Sequence, residues 1–276
     1  MKRILITGAS SGIGAATALH LDRCGMEVFA AVRALDDGED ALTGASDRLR
    51  RISLDVTDAD SIAKAMATVS EHVGGAGLDG LVNNAGIGVP GPLELLFAED
   101  LRRQLDVNVV GQVAVTQAAL PLLRAAGGRI VFVGSVGGRL ASQFAAAYHA
   151  SKFAMEAIAD AWRQELDPEQ LAVILIEPSA ISTPIWDKAQ ERLDALLADP
   201  DPRVARYRDR LQEFRETLGS ADEHGKSPDD VAAIIEQALT EDSPDTRYVV
   251  GAAGKVATAL RPLIPDRFAD KLAERT

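Results

Sequence analysis

Seven short runs rich in Val, Ile and Leu recur along the chain, at Arg3–Thr7, Glu27–Val32, Arg51–Val56, Leu78–Asn83, Arg129–Gly134, Leu171–Glu177 and Arg247–Gly251. Each is near-continuously apolar and not alternating, so each predicts a strand covered on both faces. The segments between them carry apolar residues at helical spacing, which gives a βαβα order and hence a parallel sheet. The expected fold class is α/β, doubly wound, with a mostly parallel seven-stranded sheet and helices on both faces. No Pro-, Gly- or Ser-rich linker and no internal repeat divides the 276 residues, so a single domain over 1–276 is expected.

Charge and composition narrow the partners. With 41 Asp and Glu against 29 Lys and Arg the formal charge is −12, which repels a phosphate backbone and argues against nucleic acid. An anionic cofactor must then be gripped locally, by a helix N-terminus or a single well-placed Arg. Cys24 is the only cysteine, so no internal disulfide is possible, and its place near the end of an apolar helix reads as packing. His20, His72, His149 and His224 lack ligand spacing, and no metal site is expected. The first residues lack a signal-peptide pattern, and no run reaches the roughly 18 apolar residues of a membrane span. A cytoplasmic protein without a span is the expectation.

In doubly wound folds ligands sit beyond the carboxyl ends of the strands, so the residues after each run carry the information. After the first run come Thr7-Gly8-Ala9-Ser10-Ser11-Gly12-Ile13-Gly14 and then the helical stretch 15–23. Such a turn lets a pyrophosphate approach backbone amides at the positive end of a helix, making Gly8, Ser10, Ser11, Gly12, Ile13 and Gly14 candidate cofactor-binding residues. The spacing G-x-x-x-G-x-G departs from G-x-G-x-x-G, so a purely structural turn is the competing reading. The second run ends at Arg33 with no acid for ribose hydroxyls. An Arg there pairs with a 2′-phosphate, favouring NADP(H) over NAD(H); the alternative is a surface Arg neutralised by Asp36 and Asp37. The third and fourth runs lead into Asp55 and Val56, and into Asn84, Ala85 and Gly86. Asp55 is a candidate acceptor for an adenine amino group, and Asp58 a helix cap.

Ser135 follows the fifth run, and the helical segment Ala145–Leu166 then opens with Tyr148 and Lys152. The i, i+4 spacing stacks the two on one face, where a Lys ammonium favours the phenolate of a Tyr whose free pKa is about 10. Tyr148 then serves as general acid and base. His149 points about 100° away around the helix and is left out of that task.

With T-G-x-x-x-G-I-G, N-N-A-G and S…Y-x-x-x-K in place, the chain resembles the short-chain dehydrogenase/reductase family along nearly its whole length. It is most similar in look to the hydroxysteroid/retinol dehydrogenase branch. The resemblance implies a Rossmann-type NAD(P)-dependent oxidoreductase that interconverts an alcohol and a ketone or aldehyde. By it, Tyr148 exchanges the substrate proton, Lys152 holds the nicotinamide ribose and lowers the Tyr pKa, and Ser135 bonds the substrate oxygen. Asn108 matches the family's helix-kinking Asn that holds a proton-relay water; pairing with a backbone carbonyl is the competing reading. In Glu177-Pro178-Ser179-Ala180-Ile181-Ser182-Thr183 the family pattern P-G-x-x-x-T sets Ile181 and Thr183 against the nicotinamide carboxamide. Ser179 replaces the Gly, and would strain the turn if φ is positive there. Two other functions share these motifs: a cofactor-binding regulatory protein without turnover, and an NAD(P)-using isomerase or dehydratase.

Between about 185 and 225, Trp186, Leu193, Leu196, Leu197, Val204, Tyr207, Leu211, Phe214 and Leu218 form an apolar stripe broken by Asp199-Pro200-Asp201-Pro202, which predicts two helices. By the resemblance this is a substrate lid, suited to a bulky apolar steroid-, retinoid- or acyl-like ligand; the stripe packing on the body is the equal alternative. The tail residues Val256, Leu260, Leu263, Ile264, Phe268 and Leu272 are expected to pack on the core, with a partner subunit or a peripheral membrane contact as alternatives. Phe153, Met155, Ile158 and Trp162 make the Tyr148 helix apolar on more than one face, permitting a homodimer or homotetramer.

Overall fold

The computed structural model describes residues 1–223 and 225–268. His224 and Leu272 lie outside the described residues. Seven strands, β1 (Arg3–Thr7), β2 (Glu27–Val32), β3 (Leu49–Ser53), β4 (Gly80–Asn83), β5 (Arg129–Val133), β6 (Ala172–Pro178) and β7 (Arg247–Val250), form one sheet in the order 3-2-1-4-5-6-7. Every pairing is parallel, as expected of a doubly wound sheet.

The helices are α1 (Gly12–Arg23), α2 (Ala59–Val73), α3 (Ala98–Leu105), α4 (Gly111–Ala126), α5 (Ala146–Leu166), α6 (Ile185–Ala198), α7 (Pro202–Ala205), α8 (Arg208–Glu223), α9 (Pro228–Thr240) and α10 (Ala252–Leu260). Adjacent strand residues point to opposite faces, which explains the continuous apolar runs. Ile4, Ile6, Val131, Val133, Ile174 and Ile176 meet α1 and α9 on one face. Leu5, Ile130, Phe132, Val173 and Leu175 meet α2, α4 and α5 on the other. Asp58 caps α2 as expected, its carboxylate accepting from the Asp60 and Ser61 amides.

Three expectations need correction. β3 ends at Ser53, short of Val56, because its neighbour β2 ends at Val32; the Leu54 amide closes onto the Val32 carbonyl and Asp55–Thr57 turn away. Cys24 is exposed at the C-cap of α1 and is not part of the core. The run Ala98–Ala126 is one continuous helical stretch, long and apolar enough to cross a bilayer by length and composition. In the fold it lies against the sheet, with Val115, Ala119 and Leu123 fully buried in the core.

The sheet order reverses between β1 and β4, which splays the loops after these strands apart and opens a crevice at their carboxyl ends.

Candidate active site

A cleft of about 1010 Å³ lies along those carboxyl ends. Of the candidate cofactor and catalytic residues, all but Gly14 line it: Gly8, Ser10, Ser11, Gly12, Ile13, Arg33, Asp55, Val56, Asn84, Ala85, Gly86, Asn108, Ser135, Tyr148, Lys152, Ile181 and Thr183. Gly14 stands just behind, where a Cβ would overlap the Gly8 carbonyl oxygen. Gly8 has φ +66° and its Cβ would meet the Ala85 Cα at 2.8 Å, so the turn after β1 is seated directly on the segment after β4. Ser11, the N-cap of α1, makes no side-chain cap bond, and the helix opens toward the cleft with its amide dipole. This bare backbone cradle at a helix N-terminus fits the pyrophosphate of a dinucleotide.

The segment after β4 is held by a ladder of side chains spaced four residues apart. Gln104, Asn108, Gln112 and Thr116 are all fully buried. Gln104 donates to the Ile87 carbonyl at 2.6 Å and accepts from the Val89 amide at 2.8 Å. Asn108 accepts from the Ile87 amide and donates to the Ile87 carbonyl, at 2.8 and 3.0 Å. Gln112 donates to the Ala85 carbonyl, and Thr116 accepts from Asn83. Asn84 meanwhile donates to the Thr7 and Gly8 carbonyls, closing the floor between β1 and β4. Asn108 lies in a π-turn, Asp106–Val110, so its helix does depart from regular geometry there. Its side chain bonds to Ile87 and Ser151. Sequence reasoning named only Asn108; the four-residue repeat of buried amides and a hydroxyl in an apolar helix was the signal for the rest.

At the end of β5, Ser135 accepts from the Gly137 amide at 3.0 Å and lies beside the Tyr148 hydroxyl. Lys152 is buried, its Nζ donating to the Val133 carbonyl at 2.8 Å and lying 5.7 Å from the Tyr148 ring centroid. Burial holds Lys152 down to about 8. Burial pushes the Tyr148 hydroxyl above its ordinary value, and the Ser135 hydroxyl only partly offsets this. Desolvation is the larger of the two effects on Tyr148, and Lys152 is not among them.

His149, which sequence reasoning set aside, positions the strand end. Its Nδ1 donates to the Gly137 carbonyl at 2.9 Å and its Nε2 accepts from the Ser142 hydroxyl at 3.0 Å, pinning the segment after Ser135 onto α5. Burial holds this imidazole below its usual pKa, which keeps it in the neutral form.

At the far end of the cleft Arg33 is exposed, and Asp37 accepts from the Ala34 amide instead of pairing with it. Asp55 accepts from the Thr57 hydroxyl and amide, which hold its carboxyl below the usual range. Across from the glycine turn, Thr183 packs where a Cβ on Gly12 would meet its methyl at 3.1 Å. Ser179 does not have positive φ, so the expected strain is absent; its amide and hydroxyl both donate to the Val250 carbonyl, at 3.0 and 2.9 Å.

The segment expected to form a lid folds into α6 and α8, joined by the short α7. Leu193, Val204, Leu211 and Leu218 close on Phe144 and Ala189 in a small core of their own. The stripe apart from Trp186 is thus taken up by packing, and Ile185, Trp186, Lys188 and Glu191 line the cleft. In the tail the expected packing fails, since Val256, Leu260, Leu263 and Phe268 are exposed.

A family profile described as short chain dehydrogenase matches residues 2–194. Retinol dehydrogenase 16 of Mus musculus is 37% identical over 98% of this chain and 87% of its own length. The 3-amino-tetrahydro-pyrrolizinone reductase of Xenorhabdus hominickii is 38% identical over 92% of this chain and 88% of its own. Among solved structures, a short-chain dehydrogenase from Streptomyces avermitilis superposes with a TM-score of 0.79 at 28% identity, over 99% of this chain and 95% of that one. The likeness in sequence and the likeness in shape both extend through the glycine turn, the β4 floor and the Tyr148 helix. The chain belongs to the short-chain dehydrogenase/reductase family, and its enzymology is that of an NAD(P)-dependent oxidoreductase.

Proposed function

We propose that this enzyme interconverts an alcohol and a ketone or aldehyde with NADP(H), with Tyr148 as proton donor and acceptor and Ser135 and Lys152 beside it. The observation that carries this is the convergence of the three side chains at the end of β5, in the same cleft as the glycine cradle. When bound, the nicotinamide supplies or accepts the hydride. Ser135 and Tyr148 would both reach a substrate oxygen and stabilise charge developing on it. Tyr148 rests as the phenol, the form that donates a proton to a nascent alkoxide. Lys152, anchored on the Val133 carbonyl, would hold the nicotinamide ribose. Asn108 acts by fixing Ile87 and, through Ser151, the Tyr148 carbonyl.

The preference for NADP(H) rests on Arg33, which lines the cleft free of Asp36 and Asp37. Arg33→Asp should turn the preference toward NADH; an unchanged ratio removes the 2′-phosphate assignment. A bulky apolar substrate is supported by Ile87, Ile185 and Trp186 on the cleft wall and by the retinol dehydrogenase relatives. We take 1–276 as one domain with a helical lid at about 185–225, working in the cytoplasm as a homodimer or homotetramer. The exposed Val110 and Phe153 support the assembly, which light scattering tests. The deciding experiment is a panel of ketones, aldehydes and alcohols of graded size with both cofactors, read as cofactor oxidation or reduction. No redox turnover on any of them would reject this function.

A further inference from the structure

One helical turn beyond Lys152, α5 carries Glu156, whose carboxyl faces that of Glu177 from β6. Glu177 is fully buried. Arg139, from the segment after Ser135, lies 3.6 Å from Glu177, and Arg247 of β7 lies 3.1 Å from Glu156 and 2.6 Å from Asp160, which pairs in turn with Arg163. Glu156 Oε1 and both carboxyl oxygens of Glu177 are buried without a hydrogen-bond partner among the described residues. Two ionised carboxylates would repel each other there, with Arg247 and Arg139 offsetting only part of that. A single proton on the pair supplies the missing donor and removes the like-charge contact.

We propose that Glu156 and Glu177 share one proton at neutral pH, and that this acid–carboxylate bond is a positioning device holding the Tyr148 helix against the strand ends that carry Ser135 and Ser179. Glu177 immediately precedes Pro178, whose carbonyl accepts from the Ser135 hydroxyl at 3.5 Å. Glu156 lies against Gly138, where a Cβ would come within 3.0 Å of Glu156 Oε1 and 2.9 Å of the Lys152 carbonyl. The turn after Ser135 therefore rests directly on the pair, and Gly137 of that turn donates to the Ser135 hydroxyl. Burial first, and the facing Glu177 carboxyl second, push Glu156 up to about 8, with Arg247 and Arg139 pulling the other way. Neither carboxyl lines the cleft, so both act through their neighbours.

The positioning role rests on the function proposed above; the shared proton does not. Wild type and E156Q are unfolded in urea at intervals from about pH 5 to about pH 9. E156Q keeps a donor toward Glu177 and removes the titration. The native acid holds a proton that the unfolded chain releases near 4.5, so its stabilisation is full below that value and is lost as pH rises to about 8. The folding constant of wild type relative to E156Q should fall with pH by up to about tenfold per unit and level above about 8. Parallel curves would overturn the shared proton. For positioning, E156A should lower kcat by about tenfold or more with KM for NADPH nearly unchanged, and E156Q should restore kcat. E156Q as slow as E156A, or E156A at full kcat, would overturn it. Should E156A not fold, the kcat of E156Q decides the point, since it must stay near wild type. A wild type without redox turnover would sink the proposed function while the urea series still decided the proton.

Discussion

Ser179 and Gly251 make a testable pair where the chain departs from its family's pattern. Gly251 has φ +113°, and a Cβ there would overlap the Ser179 hydroxyl and approach the Ser179 Cβ at 3.2 Å. Gly251→Ala then has two effects: a backbone penalty of about 1–2 kcal/mol for the conformation, and displacement of the Ser179 hydroxyl from the Val250 carbonyl, about 1 kcal/mol more. Ser179→Gly loses that same hydrogen bond, about 1 kcal/mol, plus about half that for added chain freedom. In the double variant the hydrogen bond is lost once, so the combined cost should fall about 1 kcal/mol short of the sum of the singles. Urea unfolding of all four proteins measures this, and additivity within a few tenths of a kcal/mol would refute the contact as the cause. Because Ser179 lines the cleft beside Ile181, Gly251→Ala should also change the KM for the nicotinamide cofactor.

Other outcomes follow from the same geometry. His149→Ala should cost about 2 kcal/mol near pH 8 from its two hydrogen bonds. Since burial lowers the His149 pKa from 6.5, this contribution is present above that pH and shrinks as pH falls below it, so the wild-type advantage in urea should narrow in acid. Leu193→Ala, in the lid's own core, should lower stability by about 2–5 kcal/mol without selecting among substrates by size, as read by melting and by the substrate panel. Trp186→Ala should instead raise KM most for the largest substrates.

The strands were legible because burial on both faces writes continuous apolar runs, and the glycine turn because only absent side chains allow Gly8 and Gly14 to touch their neighbours. β3 was less so: as an edge strand carrying exposed Arg50 and Arg51, it takes its length from β2 and not from its own pattern. The Tyr148–Lys152 spacing correctly gave proximity, but a helix face says nothing about desolvation, which here dominates both groups. The lid stripe showed that one face is buried without showing what buries it, and α6 and α8 bury each other. The tail was misjudged for the same reason, its apolar residues having no neighbour written into the local sequence. Glu156 and Glu177 read as ordinary charges on a helix and a strand end; only the fold brings them together.

The central claim is that Tyr148 carries the proton. Tyr148→Phe keeps the ring against His149 and removes only the hydroxyl. Measured with NADPH and the best substrate of the panel, kcat should fall by about a hundredfold or more, while the NADPH dissociation constant stays within about twofold. Substantially retained kcat in a properly folded Tyr148→Phe enzyme would contradict the account.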